Sequence, residues 1–150
     1  MGNKRDTYVI VTVDTMGIEK AENYPIEIVE FSDNRGANRI ESSKFSSIVD
    51  KGKKIIWIGI PKYATVGDVV QFVDIKQILI KGENDSQILK KNYYSDVNDN
   101  GVVVGRMKYP KLNEEDPNSK IAPHPEHYNI TILVNGTDWH TIDPQLEMII

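Results

Sequence analysis

The sequence predicts an all-β fold: an antiparallel β-sandwich, immunoglobulin-like or jelly-roll-like, with about seven to nine strands and little helix. Apolar residues recur with a period of two along most of the chain, as they do in half-buried strands. The apolar runs are short and are separated by clusters of Gly, Asn, Asp and Pro, which favour turns. No segment keeps the helical period, and 150 residues suit a single domain over residues 1–150.

The individual strands follow from this alternation. The first, at 7–13, is rich in β-branched residues throughout, as buried strands tend to be. The segment 53–60 is centred on Trp57, which we expect in the core. In 69–80 the alternation places Ile75 and Ile78 on opposite faces. The other predicted strands are 25–31, 101–109, 128–134 and 140–150, with further candidates at 44–49 and 87–94 and one or two helical turns at 16–24.

Composition narrows the class of protein. The chain has no Cys, which excludes disulfides, iron–sulfur clusters, Cys-ligated zinc and thiol catalysis. The formal net charge is −4, and the only local basic run is 51–54, so we expect no nucleic-acid partner. The apolar run near the start, 8–13, is too short for a signal peptide, and no run is long enough to span a membrane. We therefore expect a soluble, cytoplasmic protein.

The segment 96–101 has two interpretations. Its residues fit the first half of a calcium loop, with Asp96, Asn98 and Asn100 as oxygen ligands and Gly101 at the sharp turn. The position where a calcium loop needs Glu holds Met107, and a β-run follows instead of a helix. Asn100-Gly101 is equally typical of a type I′ turn that joins two strands. A plain turn and a low-affinity calcium site, completed by an acid from elsewhere, both stay open.

Motifs for catalysis are absent, and we expect no enzyme. The sequence has no nucleophile elbow, no phosphate-binding loop and no dinucleotide fingerprint. His124, Glu126, His127 and His140 do not have helical metal-site spacing, and flanking prolines argue against a helix, so we expect surface histidines. Aromatic residues at strand ends can close the core or stack on sugar rings, which leaves carbohydrate binding as an alternative. These residues are Tyr93, Tyr94, Tyr109, Tyr128 and Trp139.

Three segments in order resemble one family. Residues 8–24 form a strand that ends in Val-Asp-Thr, 49–57 run from a charged turn into a strand that ends at Trp57, and 140–149 carry Asp-Pro before alternating apolar residues. This order resembles the bacterial PixA/AidA-like inclusion-body protein family. The resemblance implies a β-sandwich that accumulates or self-assembles, and it carries over no catalytic residues and no cofactor.

The leading hypothesis is therefore a non-enzymatic protein that acts by self-association or partner binding. We expect a homo-oligomer that forms through sheet edges or an apolar face, for example the terminal segment 145–150. The alternative hypothesis is a calcium- or carbohydrate-binding module that uses the segment 96–101 and nearby aromatic residues.

Overall fold

A computed structural model describes residues 4–19, 29–36, 38–39, 45–80, 88–95, 101–108, 126–141 and 145–149. This part of the chain contains one short helix and thirteen strands. In chain order they are β1 (Thr7–Val13), α1 (Thr15–Glu19), β2 (Val29–Asp33), β3 (Asn38–Arg39), β4 (Ser46–Asp50), β5 (Lys54–Pro61), β6 (Thr65–Val66), β7 (Val69–Val70), β8 (Val73–Ile80), β9 (Tyr93–Tyr94), β10 (Val103–Arg106), β11 (Glu126–Val134), β12 (Thr137–Thr141) and β13 (Gln145–Ile149).

The mostly-β prediction, with little helix, is confirmed. Nine of the described strands have four residues or more, and β3, β6, β7 and β9 have only two. The predicted segment 69–80 is divided into β7 and β8, and β12 and β13 lie on either side of 142–144. The only described helix, α1, has five residues, and no helix in these ranges is long and apolar enough to cross a membrane.

Three sheets account for these strands. The first has the order β10-β5-β1-β2-β3, and the second has the order β4-β13-β11-β8-β9 with β12 also paired to β11. The third is the two-stranded hairpin β6-β7. The prediction of purely antiparallel pairing is wrong, because β1 pairs with β5 and β4 pairs with β13 in parallel. The alternation of apolar and polar residues shows which face of a strand is buried. It does not show which strand lies next to it or whether the two run parallel or antiparallel.

The terminal strand lies inside its sheet. β13 pairs with β4 along its whole length and with β11 at its first two residues. We expected the terminal segment to associate through a free sheet edge, but β4 already occupies one edge of β13. Pro144, which precedes it, lies outside the described residues.

The core combines residues of both larger sheets. Trp57 of β5 is fully buried, as predicted, and its Nε1 donates a hydrogen bond to the Tyr128 hydroxyl of β11 at 3.2 Å. The two rings meet edge-on with centroids 5.7 Å apart, and burial raises the pKa of the Tyr128 hydroxyl. Around them pack Val9, Val11, Phe31, Ile55, Ile75, Ile78, Val103, Ile130 and Ile132.

A β-bulge at Lys76 changes which residues of β8 reach this core. Thr131 pairs with Gln77 while the next residue, Ile132, pairs with Ile75, so Lys76 is an extra residue in the ladder. The bulge shifts the alternation by one, and Ile75 and Ile78 are both fully buried. The expectation that these two isoleucines lie on opposite faces is therefore wrong.

On the side of β10 away from β5, Tyr93 covers the backbone of Arg106, and the segment 88–90 pairs with the residues that follow. The Tyr93 hydroxyl accepts a hydrogen bond from the Arg106 backbone N–H at 2.9 Å and donates one to the Arg106 carbonyl at 3.1 Å. A Cβ on Gly105 would lie about 3 Å from the rings of Tyr93 and Trp57, so a glycine lets this ring cover the strand. Edge pairing by another chain is blocked at Arg106.

An ion pair joins the turn after β2, in the first sheet, to the end of β4, in the second sheet, and both partners also hold the backbone at Arg5. Arg35 Nη2 lies 2.7 Å from Asp50 Oδ2, and the two side chains are only 10% and 13% exposed. The same carboxylate accepts the Arg5 backbone N–H at 2.9 Å, and Arg35 donates to the Arg5 carbonyl at 2.8 Å. Desolvation opposes ionisation of Asp50, but the hydrogen bonds and the charge of Arg35 outweigh it and lower the pKa of Asp50.

We expect Asp50→Asn to lower the free energy of unfolding at neutral pH by about 2 kcal/mol, because charge-assisted hydrogen bonds are lost. Since the folded pKa of Asp50 is lowered, its stabilisation is complete above the unfolded value of about 3.9 and is lost as the pH falls through the folded value. The variant should therefore differ most from wild type at neutral pH and least in acid. Urea unfolding between neutral and acid pH measures this, with the exposed turn residue Asp68→Asn as control. A constant difference at all pH values would contradict it.

Candidate functional site

A groove opens at the end of the sheets where β1, β5 and β11 end and β8 begins. Its volume is about 640 Å³, within the usual range for small-molecule sites. Two sides are made by the hairpin β6-β7 and by the turn between β11 and β12. The lining residues are Met16, Val66, Val69, Val70, Gln71, Phe72, Asp74, Asn135 and Gly136.

The apolar side of the groove is exposed to solvent. Val69 is 64% exposed, Val70 52% and Phe72 60%. Val66 pairs with Val69 across the two-residue turn Gly67-Asp68, in which Gly67 has a φ of 59°. An isolated two-stranded hairpin is marginally stable, so this one depends on its attachment to the rest of the protein.

Asn135 provides that attachment. Asn135 and Gly136, with φ of 49° and 86°, form the two-residue turn between β11 and β12. The Asn135 side chain accepts the Phe72 backbone N–H at 2.9 Å, and its own backbone N–H donates to the Phe72 carbonyl at 3.0 Å. The turn therefore fixes the link between β7 and β8.

Gln71 forms the polar floor of the groove and is only 9% exposed. Its Oε1 accepts hydrogen bonds from Thr15 Oγ1 at 2.9 Å and from Asn135 Nδ2 at 2.8 Å. Its Nε2 donates to the Val69 carbonyl at 3.2 Å. The amide groups of Gln71 and Asn135 are thus engaged in holding three segments together.

Asp74 is the only ionisable residue among the described lining residues, and it touches the predicted calcium segment. It is half-buried, and within the described residues its carboxylate makes no hydrogen bond and no ion pair. The Asp74 side chain lies directly against Gly101, where a Cβ would overlap it. Gly101 has a φ of 72°, and its carbonyl accepts the Ile75 N–H at 2.6 Å.

The candidate calcium ligands Asp96, Asn98 and Asn100 lie outside the described residues. The flanking strands belong to different sheets, because β9 pairs with β8 and β10 with β5. Because Asn100 lies outside the described residues, the choice between a plain turn and a calcium site at 96–101 stays open, and within the described residues Asn135-Gly136 forms a two-residue turn of the type I′ kind.

The histidine segment gives no metal cluster in the part of the chain that is described. His124 lies outside it, and Glu126 Oε2 accepts the Ile88 backbone N–H at 3.2 Å. Of the strand-end aromatic residues, Tyr93 and Tyr128 are buried and Tyr94 is exposed. Carbohydrate binding through these residues stays a prediction.

A second surface is the outer face of the first sheet, turned away from the core. The register places Val104, Ile56 and Tyr8 side by side across β10, β5 and β1. The next row holds Ile58 and Ile10. Ile56 is 9% exposed, but its neighbours Val104 and Tyr8 are 51% and 44% exposed. We call the residues Tyr8, Ile10, Ile56, Ile58, Ile60 and Val104 the outer face.

Charged residues stand at two opposite corners of the outer face. Lys54 and Arg106 are paired at one end of β5 and β10. Glu30 lies on β2 in the row of Thr12 and Ile60, about 20 Å along the strands. All three charged residues are exposed. The Asp6 carboxylate, which accepts the Lys54 backbone N–H at 2.9 Å, also lies at the first corner. That corner therefore carries two positive charges and one negative charge, and the diagonal corner is acidic.

The sequence contained signals for both surfaces. In the segment 7–13 every residue except Tyr8 is β-branched. Such a composition is typical of a strand that has apolar residues on both faces, and one of these faces belongs to the outer face. Asn135-Gly136 carries the same turn dipeptide as Asn100-Gly101. No local pattern indicated that 66–74 and 135–136 lie together.

Comparison with known proteins yields a fold likeness. No family model matches the sequence, and no curated protein matches it either. Among solved structures, the chain is similar to the crystal structure of the inclusion body protein PixA from Burkholderia cenocepacia J2315. The match has a TM-score of 0.55 and 9% identity, and it covers 98% of this chain and 93% of that one. It confirms, at the level of the fold, the resemblance carried by the three sequence segments.

Asn135 gives a direct test of how the groove is built. Asn135→Gly keeps the left-handed turn but removes the side-chain hydrogen bonds, and we expect it to cost about 1–3 kcal/mol of unfolding free energy. Asn135→Ala should cost about 1 kcal/mol more, because Ala disfavours positive φ. Urea unfolding measures both variants, and wild-type midpoints for both would contradict the assigned role.

Proposed function

We propose that the protein is non-enzymatic and acts by self-association, with the outer face as the contact between copies. The observation that supports this is an apolar row across three adjacent strands on the side of the sheet away from the core. Parallel strand pairs are normally buried on both faces, and β1 and β5 form such a pair. In the isolated chain one of these faces has exposed apolar residues.

The charges around the outer face favour a second copy as the occupant. A two-fold axis in the plane of the contact can bring the Lys54–Arg106 corner of one copy opposite the Glu30 corner of the other. Both corners then gain an opposite charge, and the apolar row lies at the centre of the contact. An apolar centre with a charged rim is the usual anatomy of a specific interface.

The fold likeness agrees with this proposal. The similar structure is named as an inclusion body protein. We infer that the two larger sheets of this chain form a β-sandwich whose outer face stays available for contacts. This arrangement agrees with the shared core and with the Trp57–Tyr128 contact between sheets.

We expect light scattering to give a mass of twice 17.0 kDa or more at high concentration. Val104→Lys should weaken the association at least about tenfold, because an unpaired charge would be buried in the contact. Val70→Lys is the matched control, since Val70 has nearly the same exposure but lies on the hairpin β6-β7. A monomeric wild type contradicts the proposal, and an equal effect of both variants contradicts the choice of surface.

A charge reversal tests the relative placement of the two copies. Glu30→Lys should weaken association by placing like charges opposite each other, and adding Lys54→Glu should restore part of the loss. Sedimentation at low and high salt measures this, since screening should reduce both effects. If the loss of association free energy in the double variant equals the sum of the losses in the two single variants, the corners do not meet.

Calcium binding near 96–101 is the second candidate function, and the position of Asp74 favours it. Calcium takes oxygen ligands, and the sequence pattern lacks an acid to complete the set. The Asp74 carboxylate lies against Gly101, at the end of that segment. It is therefore the acid outside the segment that is placed to contribute.

Thermal melting in calcium and in EDTA tests this candidate. With calcium at about ten times the dissociation constant, the midpoint should rise by roughly 3–5 °C, because the ion binds the folded state. Asp74→Asn should abolish the rise, and Asp68→Asn should keep it. An unchanged wild-type midpoint at millimolar calcium eliminates the candidate.

A further inference from the structure

The groove combines an apolar wall with one carboxylate that lacks a partner. Asp74 is half-buried, and within the described residues no cation approaches its carboxylate. The Lys62 Nζ lies 5.7 Å from the centroid of the Tyr63 ring. A half-buried carboxylate gains free energy from an opposite charge that is brought to it away from bulk water.

The two other polar side chains of the described lining, Gln71 and Asn135, are both engaged with the protein itself. Gln71 Oε1 accepts two hydrogen bonds, and its Nε2 donates one to Val69. Asn135 Oδ1 accepts the Phe72 N–H, and its Nδ2 donates to Gln71. A polyol such as a sugar needs several donors and acceptors, whereas Asp74, which accepts hydrogen bonds only, is the one polar side chain of the described lining that has no partner.

The apolar lining residues favour a ligand that has an apolar group in addition to a positive charge. Val69, Val70 and Phe72 are each more than half exposed, and Met16 lies beside them. An alkyl or aryl group can cover these side chains while a cationic group reaches Asp74. The face of the Phe72 ring also suits a cation, because its π-electrons attract positive charge.

We propose that this groove binds a small organic cation with an apolar body, such as an alkylammonium or arylammonium ion. Asp74 is the recognition residue for the charge, and the hairpin β6-β7 with Phe72 holds the apolar part. The net charge of −4 favours the approach of a cation. The proposal does not rest on self-association, because the outer face lies on a different surface.

Three probes of one shape test the proposal: phenethylammonium, phenethyl alcohol and phenylacetate. They share a phenyl ring and a short chain and differ in charge. Titration followed by NMR, in EDTA to remove calcium, should give a Kd of about 1 mM for the ammonium ion, as suits a ligand of this size. The alcohol should bind at least about tenfold more weakly, and the carboxylate should not bind at that concentration.

Variants locate the site. Asp74→Asn should reduce the affinity for phenethylammonium to that of the alcohol, while Glu30→Gln, which removes an exposed carboxylate on β2 away from the groove, should leave it unchanged. Phe72→Ala should weaken the ammonium ion and the alcohol alike. The probe series on the wild-type protein decides the question even if Asp74→Asn does not fold.

Equal affinity for the ammonium ion and the alcohol overturns the proposal, as does stronger binding of phenylacetate. Undiminished ammonium binding by folded Asp74→Asn overturns the assigned residue. The absence of phenethylammonium binding at about ten times the expected Kd overturns the site itself. A monomeric protein that shows the expected ligand preferences removes the self-association proposal and leaves this one intact.

Discussion

The parallel ladder between β1 and β5 is the constraint on which most of this structure depends. It places Val9 and Val11 next to Trp57 on the inner side, where Trp57 meets Tyr128 of the other sheet. The same ladder places Tyr8 beside Ile56 on the opposite side. Because parallel pairs carry apolar residues on both faces, the strand pair that builds the core also produces the outer face. The proposed contact between copies is thus a consequence of the strand pairing.

The groove depends on the turn at Asn135. Asn135 adopts a positive φ, and its side chain thereby reaches the Phe72 backbone and Gln71. The amide groups of Gln71 and Asn135 are engaged in this network, and among the described lining residues Asp74 is the polar side chain without a partner. The chemical selectivity proposed for the ligand therefore follows from the hydrogen bonds that hold the turn in place. A change that loosens the turn would release amide groups and alter that selectivity.

Self-association and ligand binding involve separate parts of the molecule, and the two are not in competition. The outer face has an apolar centre and charged corners, which suit a large and complementary partner. The groove is concave and has one charge, which suits a small ligand. Calcium is the alternative occupant at Asp74, since the same carboxylate borders the segment 96–101 through Gly101. Calcium and the organic cation would compete for it.

The sequence by itself determined the mostly-β character of the described residues, most of their longer strands and the burial of Trp57, because the period of two and β-branched composition are local properties of the chain. It also carried a likeness to inclusion-body proteins that the fold confirms. The tertiary structure decided that β1 takes β5 as a parallel partner and that the bulge at Lys76 turns Ile75 and Ile78 to the same side. It also brought the turn residue Asn135 to Phe72, 63 residues away. These features depend on contacts between distant residues, and alternation records only whether a side chain is buried, not what it is buried against.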